Sequence, residues 1–237
     1  MDCFLYCIMR APGPPIALDL LGVDGRSVEL LTHGGLTAAL SRMAPEADLP
    51  PDLARLRAYE QVVAALQRRR TVIPLRYGCR LADEAQVVRL LAERGPQYGA
   101  RLRQLDGCVE MGIRLFLLRQ GEAGVRPEVY PTVSDHSGWA YLKTRRAHYD
   151  HLDRSTREYR RLAEECRASL EGLYVEEKSE GPSFHRPAFS LYFLVRRETV
   201  AAFRRACRRI NPIPGVKLLL SGPWPPYNFV MEDNPST

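Results

Sequence analysis

The order of strands and helices after Cys108 constrains the fold of this chain more than any other feature. Apolar composition and periodicity predict, in order, a strand in CVEMGIRLFLL, a helix from Trp139 to Leu173, two strands within YVEEKSEGPSFHRPAFSLYFLV, a helix in ETVAAFRRACRRI and a strand in GVKLLL. This β-α-β-β-α-β order is the split βαβ pattern of ferredoxin-like domains. We therefore predict a ferredoxin-like arrangement for this part of the chain.

The predicted helix from Trp139 to Leu173 is the longest periodic segment of the chain. Its apolar or small residues recur every seven positions in two series, which are Leu142, Tyr149, Thr156, Ala163 and Leu170, and Leu152, Tyr159, Cys166 and Leu173. Such spacing is typical of a coiled coil. At 1.5 Å per residue the helix would be roughly 50 Å long, so we expect part of it to project or to pack on a partner.

The residues before Cys108 predict a unit that mixes strands and helices. CFLYCIM is apolar on both faces, as in a central strand, and SVELLTHGGLTAALSRM predicts two strands joined by a Gly-Gly turn. One helix is expected to open at Pro51 and a second near Asp83, continuing to Gly107, with an edge strand or extended segment in TVIPLRYGCRL between them. The first helix places apolar residues at helical spacing: Leu53, Leu56, Tyr59, Val63 and Leu66. We predict an α+β fold of two domains, residues 1–107 and 108–237.

Composition excludes several classes of protein. The chain has 237 residues and is 45% hydrophobic, which excludes a mostly disordered protein. No stretch reaches the roughly eighteen apolar residues of a membrane-spanning helix, so we expect a cytoplasmic protein without membrane contact. The net charge of +6 permits binding to nucleic acid or to an acidic partner but does not argue strongly for either. The six cysteines form no CxxC pair and are expected to be buried, reduced thiols.

Residues that could carry catalysis or bind a metal are few. His148 and His151, beside Asp150 and Asp153, could hold a divalent metal, but they fit the exposed face of a helix better, and no other segment supplies closing ligands. No HExxH, GxSxG, GxGxxG or P-loop pattern occurs. The residues therefore name no catalytic constellation, and we expect no metal site.

A ferredoxin-like domain with positive charge also suits an RNA-binding module. The best candidate strand, FSLYFLV, lacks the glycines and the preceding basic residue of the RNA-recognition pattern. Its rings alternate, with Phe189 and Phe193 on one face and Tyr192 on the other, which is more typical of core. A single-stranded RNA-binding module and a cofactor-free small-molecule enzyme remain the alternatives, although we expect no nucleic acid as partner.

The helix in RRETVAAFRRACRR carries four arginines on one side: Arg204, Arg205, Arg208 and Arg209. A charge run of this kind is usually a solvated face, but it is also suited to contact an acidic partner. These arginines are therefore candidate partner contacts.

The closing stretch LLLSGPWPPYNFV joins an apolar strand to a stiff, aromatic segment. Each proline removes a backbone donor and fixes φ near −65°. Trp224, Tyr227 and Phe229 could form a rigid binding strip for a partner. They could equally belong to a strap that crosses the sheet and packs its rings into the core.

Four stretches of the sequence resemble the gas vesicle accessory proteins of the GvpF and GvpL family over essentially the whole chain. They are FLYCI, YEQVVAALQRRRTVIPLRYG, LDGCVEMGIRL and LLLSGPWPPYNFV, of which the Gly-Pro-Trp-Pro-Pro-Tyr core is the most specific. The chain departs mildly from the family pattern at Met111, Ser221 and Asn228.

The resemblance implies a non-enzymatic, cofactor-free accessory or minor structural protein of gas vesicle assembly. It implies association with the vesicle, binding to the hydrophobic shell protein GvpA and to other accessory proteins, and two α+β domains, the second a modified ferredoxin-like one. A closing motif shared by a family favours the strap over the binding strip. If Trp224 is buried in that strap, Trp224→Ala should cost about 3–5 kcal/mol; Trp224 and Tyr227 remain candidate partner contacts.

Overall fold

The computed structural model describes residues 1–11, 19–117, 159–182, 188–210 and 216–230. The strands in these ranges are β1 Asp2–Arg10, β2 Glu29–His33, β3 Leu36–Met43, β4 Val72–Pro74, β5 Arg80–Leu81, β6 Cys108–Leu117, β7 Glu176–Glu180, β8 Phe189–Arg196 and β9 Val216–Trp224. The helices are α1 Leu53–Gln67, α2 Glu84–Glu93, α3 Gly95–Gln104, α4 over residues 159–169, and α5 Val200–Arg209. The predicted α+β class is confirmed.

The described residues divide into two compact units. The first contains those within 1–111 together with 194–197 and 222–230, and the second contains those within 112–193 and 198–221. The domain boundary near Gly107 stays a prediction.

Strand β1 lies in the middle of the first sheet. The strand order is β2-β3-β1-β4, β5 also pairs with β1, and all of these pairings are antiparallel. Every residue from Cys3 to Met9 is fully buried, because neighbouring strands and both faces cover it. The prediction of a central strand from CFLYCIM is confirmed.

The predicted hairpin is formed by β2 and β3. His33 pairs with Leu36, and the turn between them consists of Gly34 and Gly35, whose φ angles are +56° and +78°. Two consecutive positive φ angles suit the right-handed twist of a tight hairpin and are readily adopted by glycine.

The helices of the first unit follow the predicted starts but differ in extent and exposure. Asp52 caps α1 by accepting the backbone N–H of Arg55 at 2.8 Å, and Asp83 caps α2 in the same way through Gln86. The expected continuation to Gly107 is a separate helix, α3, with Pro96 in its first turn. In α1, Tyr59, Val63 and Leu66 are buried as predicted. Leu53 and Leu56 are exposed instead, because the first turn of α1 extends beyond the surface that buries the rest of its stripe.

The core of the first unit is built around aromatic rings. Phe4, Tyr6, Tyr59 and Tyr77 lie with their ring centroids 5.4–6.1 Å apart. The Tyr59 hydroxyl donates to the carbonyl oxygen of Tyr6 at 3.0 Å and also contacts that of Leu75. The Tyr6 hydroxyl lies 2.9 Å from Ser41 Oγ, so buried polar atoms of both rings are satisfied.

The second sheet has the strand order β7-β8-β6-β9, and its elements follow one another as β6-α4-β7-β8-α5-β9. The element order after Cys108 is therefore the predicted one, while the ferredoxin-like assignment stays a prediction. Most of the long helix predicted from Trp139 lies outside the described residues. In its described part, Tyr159, Ala163, Cys166 and Leu170 are buried, in keeping with the predicted seam. The prediction that the helix reaches Leu173 is wrong: α4 ends at residue 169, a turn with a positive φ at Gly172 follows, and Leu173 is only half-buried.

Candidate functional site

The closing segment, residues 222–230, lies in the first unit and packs there through its second half. It starts at Gly222, whose peptide bond to Pro223 is cis, and ends in a 3-10 turn at Tyr227–Phe229. Pro225 and Pro226 are buried, and Phe229 is fully buried. Tyr227 is half-buried and packs against the aromatic core of the first unit, and burial raises its pKa.

Glu110 holds the closing segment by two hydrogen bonds. The backbone N–H of Asn228 donates to Glu110 Oε2 at 2.8 Å, and the Asn228 side-chain amide donates to Oε1 at 2.6 Å. The Glu110 side chain is only 4% exposed, so these donors compensate a carboxylate that has lost most of its water. Arg101 adds a hydrogen bond from its Nε to the carbonyl oxygen of Phe229. The sequence does not assign a role to Glu110 or Arg101; an acid inside an apolar strand is the one signal that points to such a contact.

The segment therefore behaves as a strap from Pro225 to Phe229 but not at Trp224. The Trp224 side chain is 42% exposed, whereas a strap ring packed into the core would be buried. The expectation that Trp224→Ala empties a buried site is wrong, because the chain crosses the surface here and turns inward only at Pro225. Trp224 is open to a partner, while Tyr227 is committed mainly to the core of the first unit.

The four candidate arginines lie on α5 in the second unit and fall into two pairs. The buried face of α5 consists of Phe203 and Cys207, and Phe203 packs on Phe193 with 5.4 Å between ring centroids. Arg205 and Arg209 line a groove of about 330 Å³ beside the C-terminal end of α4. Arg204 and Arg208 do not line this groove.

Sites for a metal or for RNA stacking gain no support from the described residues. His148, His151 and their neighbouring aspartates lie outside them, and the described part of the chain brings no three metal-ligating side chains together. Phe189 and Phe193 of β8 are buried, whereas stacking on bases needs exposed rings. In the described ranges, no helix combines the length and the apolar character needed to cross a bilayer.

Native thiols should resist alkylation. All six cysteines are free and buried, and desolvation raises the pKa of Cys7 and Cys207 to about 12 and that of Cys79 and Cys166 to about 11. A thiol with pKa 11 is about 0.1% thiolate at pH 8, whereas a free cysteine is roughly one quarter thiolate. We expect iodoacetamide at pH 8 to modify these four thiols of the folded protein at least about a hundredfold more slowly than those of the unfolded chain. Mass spectrometry of tryptic peptides measures this, and rapid native labelling of one of them would indicate an activated cysteine instead.

The family model, the sequence relatives and the solved structures that this chain matches are all gas vesicle proteins. The family model described as gas vesicle synthesis protein GvpL/GvpF matches residues 2–231. Gas vesicle protein L of Streptomyces sp. (strain CB03234) is 27% identical over 244 residues, covering 95% of this chain and 91% of that protein. Gas vesicle protein F of the same strain is 28% identical, covering 97% of this chain and 100% of that protein.

Two crystal structures show the same fold. GvpF from Anabaena sp. PCC7120 superposes with a TM-score of 0.75 at 19% identity, over 98% of this chain and 99% of that one. GvpF from Microcystis aeruginosa gives a TM-score of 0.74 at 19% identity, over 96% and 98%.

Proposed function

This chain belongs to the gas vesicle GvpL/GvpF family, and from that membership we propose that it binds the shell protein GvpA and limits its aggregation during vesicle assembly. The family assigns it an accessory role in gas vesicles. The identity of the client, the mode of binding and association with the vesicle are the proposal. The observation that carries it is that β9, an apolar strand, is an end strand of the second sheet within the described residues.

Strand β9 stands at one end of the second sheet, and its exposure alternates. Leu219 is 46% exposed and Lys217 is exposed, while Val216, Leu218 and Leu220 are half-buried. At the other end, β7 has the sequence EEKSE, and charged side chains protect a sheet edge from unwanted pairing. The β9 edge is therefore the better suited of the two to accept an apolar strand.

Strand addition at β9 suits a hydrophobic client. Main-chain hydrogen bonds supply affinity that tolerates many side chains, and the apolar residues beside them cover exposed surface of the client. A shell protein whose strand edges and apolar faces are covered in this way has fewer sites for self-association.

We also propose that residues 108–237 form a modified ferredoxin-like domain that follows residues 1–107 in the sequence. The element order β6-α4-β7-β8-α5-β9, with β6 beside β8, supports this assignment.

Proline substitution at two neighbouring β9 positions tests strand addition. Successive N–H groups of a strand point to opposite sides, and proline removes one of them. Of Leu218→Pro and Leu219→Pro, one removes a hydrogen bond to β6 and should lower the melting temperature. The other removes a donor from the edge that no described strand pairs with, and should keep its melting temperature while abolishing GvpA binding at any salt concentration.

The assay is co-expression with GvpA in a strain that lacks this gene, followed by measurement of soluble GvpA and of vesicle yield. The variant that melts normally is the informative one, and its partner controls for loss of fold. If the normally folded variant restores vesicles and soluble GvpA like the wild type, strand addition at β9 is wrong. Unchanged vesicles and unchanged GvpA solubility without the protein would contradict the proposed function itself.

A further inference from the structure

The groove beside α5 combines apolar side chains with two arginines. Its apolar lining residues are Leu173, Ala202, Ala206 and Ile210, and Ser169, Arg205 and Arg209 complete the lining. Ala202, Ala206 and Ile210 recur at intervals of four along α5 and the turn that follows it, so they form one stripe. The Ser169 hydroxyl donates to the Glu165 carbonyl oxygen at 2.8 Å, so the two guanidinium groups are the charged donors of the groove.

Arg205 and Arg209 are both exposed and stand four residues apart on the same side of α5. Over the ranges that the structure describes, no carboxylate lies within ion-pair distance of either guanidinium. Other arginines of the same unit are paired, such as Arg167, which lies 3.1 Å from Glu177. Among the residues that the structure describes, the two guanidinium groups of the groove are therefore open to an external anion.

The shape of the groove restricts what can bind. A volume of about 330 Å³ stands at the lower end of the roughly 300–1,000 Å³ of small-molecule sites. It has room for one or two apolar side chains. The guanidinium fork matches a carboxylate in two-pronged geometry. A stripe of alanines lets a second helix approach closely, because small residues leave space for the ridge of its neighbour.

We infer that this groove docks an acidic amphipathic helix of a partner protein, with one bulky apolar residue on the alanine stripe and flanking carboxylates on Arg205 and Arg209. A nucleic acid would meet the arginines through phosphates but would leave the apolar floor unused. This inference goes beyond the proposed binding of GvpA and does not depend on the β9 edge, so the variants that test the two sites are separate.

The probe is a fluorescein-labelled 14-residue helical peptide of alanine and glutamine. It carries one central leucine and glutamates three and four residues to either side of it. Fluorescence anisotropy at low salt should show saturable binding to the full chain. Replacing the glutamates by glutamine, or raising the salt to about 0.5 M, should weaken binding at least about tenfold, because screening removes most of the attraction between exposed charges.

Two double variants distinguish binding in the groove from non-specific attraction to the positive charge of α5. Arg205→Glu with Arg209→Glu should weaken binding of the peptide at least about tenfold at low salt. Arg204→Glu with Arg208→Glu has the same spacing and the same change in net charge, and it should weaken binding of the peptide by less than about threefold. Ala206→Phe should block the groove and abolish binding at any salt. Thermal melts check that each variant is folded. If Arg205→Glu with Arg209→Glu does not fold, Arg205→Gln with Arg209→Gln takes its place.

Three results with the peptide alone would overturn the inference. They are absence of saturable binding to the wild type, equal losses in the two double variants, and unchanged binding to Ala206→Phe. Displacement of the peptide by a single-stranded oligonucleotide of 14 nucleotides at equal concentration would also overturn it, because the arginines would then serve nucleic acid. The β9 proline variants should bind the peptide like the wild type wherever they fold.

Discussion

Phe229→Ala should lower the free energy of unfolding by about 3–5 kcal/mol, whereas Trp224→Ala should lower it by only about 1–2 kcal/mol. Both residues are large aromatics of the same closing segment, five positions apart. Phe229 is fully buried, so its truncation leaves a cavity lined by a core that relaxes only in part. Trp224 is 42% exposed, so its truncation opens a partly solvated site and leaves no enclosed cavity.

Chemical unfolding followed by circular dichroism measures both changes, and each variant serves as the control for the other. An unchanged slope against denaturant shows that the comparison concerns stability and not a change in the unfolded state. Equal losses would mean that Trp224 packs like a core ring, and the strap would then include it. If Trp224→Ala keeps the melting temperature but reduces vesicle yield in the deletion strain, Trp224 contacts a partner.

Several parts of the fold could be predicted because their causes are local. The sequence CFLYCIM has no polar face, so it fits only a strand covered on both sides, and β1 is such a strand. Gly34 and Gly35 accept the positive φ angles that close a two-residue hairpin. Asp83 lies just before a periodic apolar segment and supplies the side-chain acceptor for the N-terminus of α2.

The closing segment could not be predicted in the same way, because its contacts are remote in sequence. Glu110 and Asn228 are 118 residues apart, and the sequence around either residue does not indicate that the other is its hydrogen-bond partner. A proline-rich stretch with three aromatic rings has the same composition whether a given ring faces the core or the solvent. The inward turn at Pro225 decides that question, which is why the prediction was wrong for Trp224 and why Phe229 is the anchor.

The arginine helix shows a similar limit. Helical periodicity places Arg204, Arg205, Arg208 and Arg209 on one side of α5 and gives no reason to separate them. The end of α4 makes the separation, because it builds a groove beside Arg205 and Arg209 only. A contact between two elements distant in sequence is again the information that the local pattern lacks.

Gly222→Ala should lower the free energy of unfolding by about 3 kcal/mol or more, because two separate terms act at that position. The φ angle of Gly222 is +101°, a conformation that a residue with a Cβ rarely adopts. A Cβ placed there would lie 2.6 Å from the carbonyl oxygen of Glu110 and 3.2 Å from the sulfur of Met111. The carbonyl belongs to the backbone of β6, so it cannot rotate away, and forcing atoms into a packed site costs roughly 1–3 kcal/mol by itself.

Gly112→Ala is a matched control. A Cβ at Gly112 would also meet a close atom, but the φ angle of Gly112 is not positive, so the backbone itself is not strained by the substitution. The closest atom to its new Cβ would be Ser221 Oγ at 2.7 Å, the end of a side chain that can rotate at the loss of one hydrogen bond of 3.3 Å to the Gly112 carbonyl oxygen. We expect a loss of about 1 kcal/mol there. Urea unfolding of the two variants decides between the cases. The same backbone of Glu110 that excludes a Cβ at Gly222 carries the carboxylate that holds Asn228, so a displaced Glu110 would also weaken those two hydrogen bonds. Equal small losses in both variants would show that β6 yields to the added methyl group, and that this glycine is not what fixes the start of the closing segment.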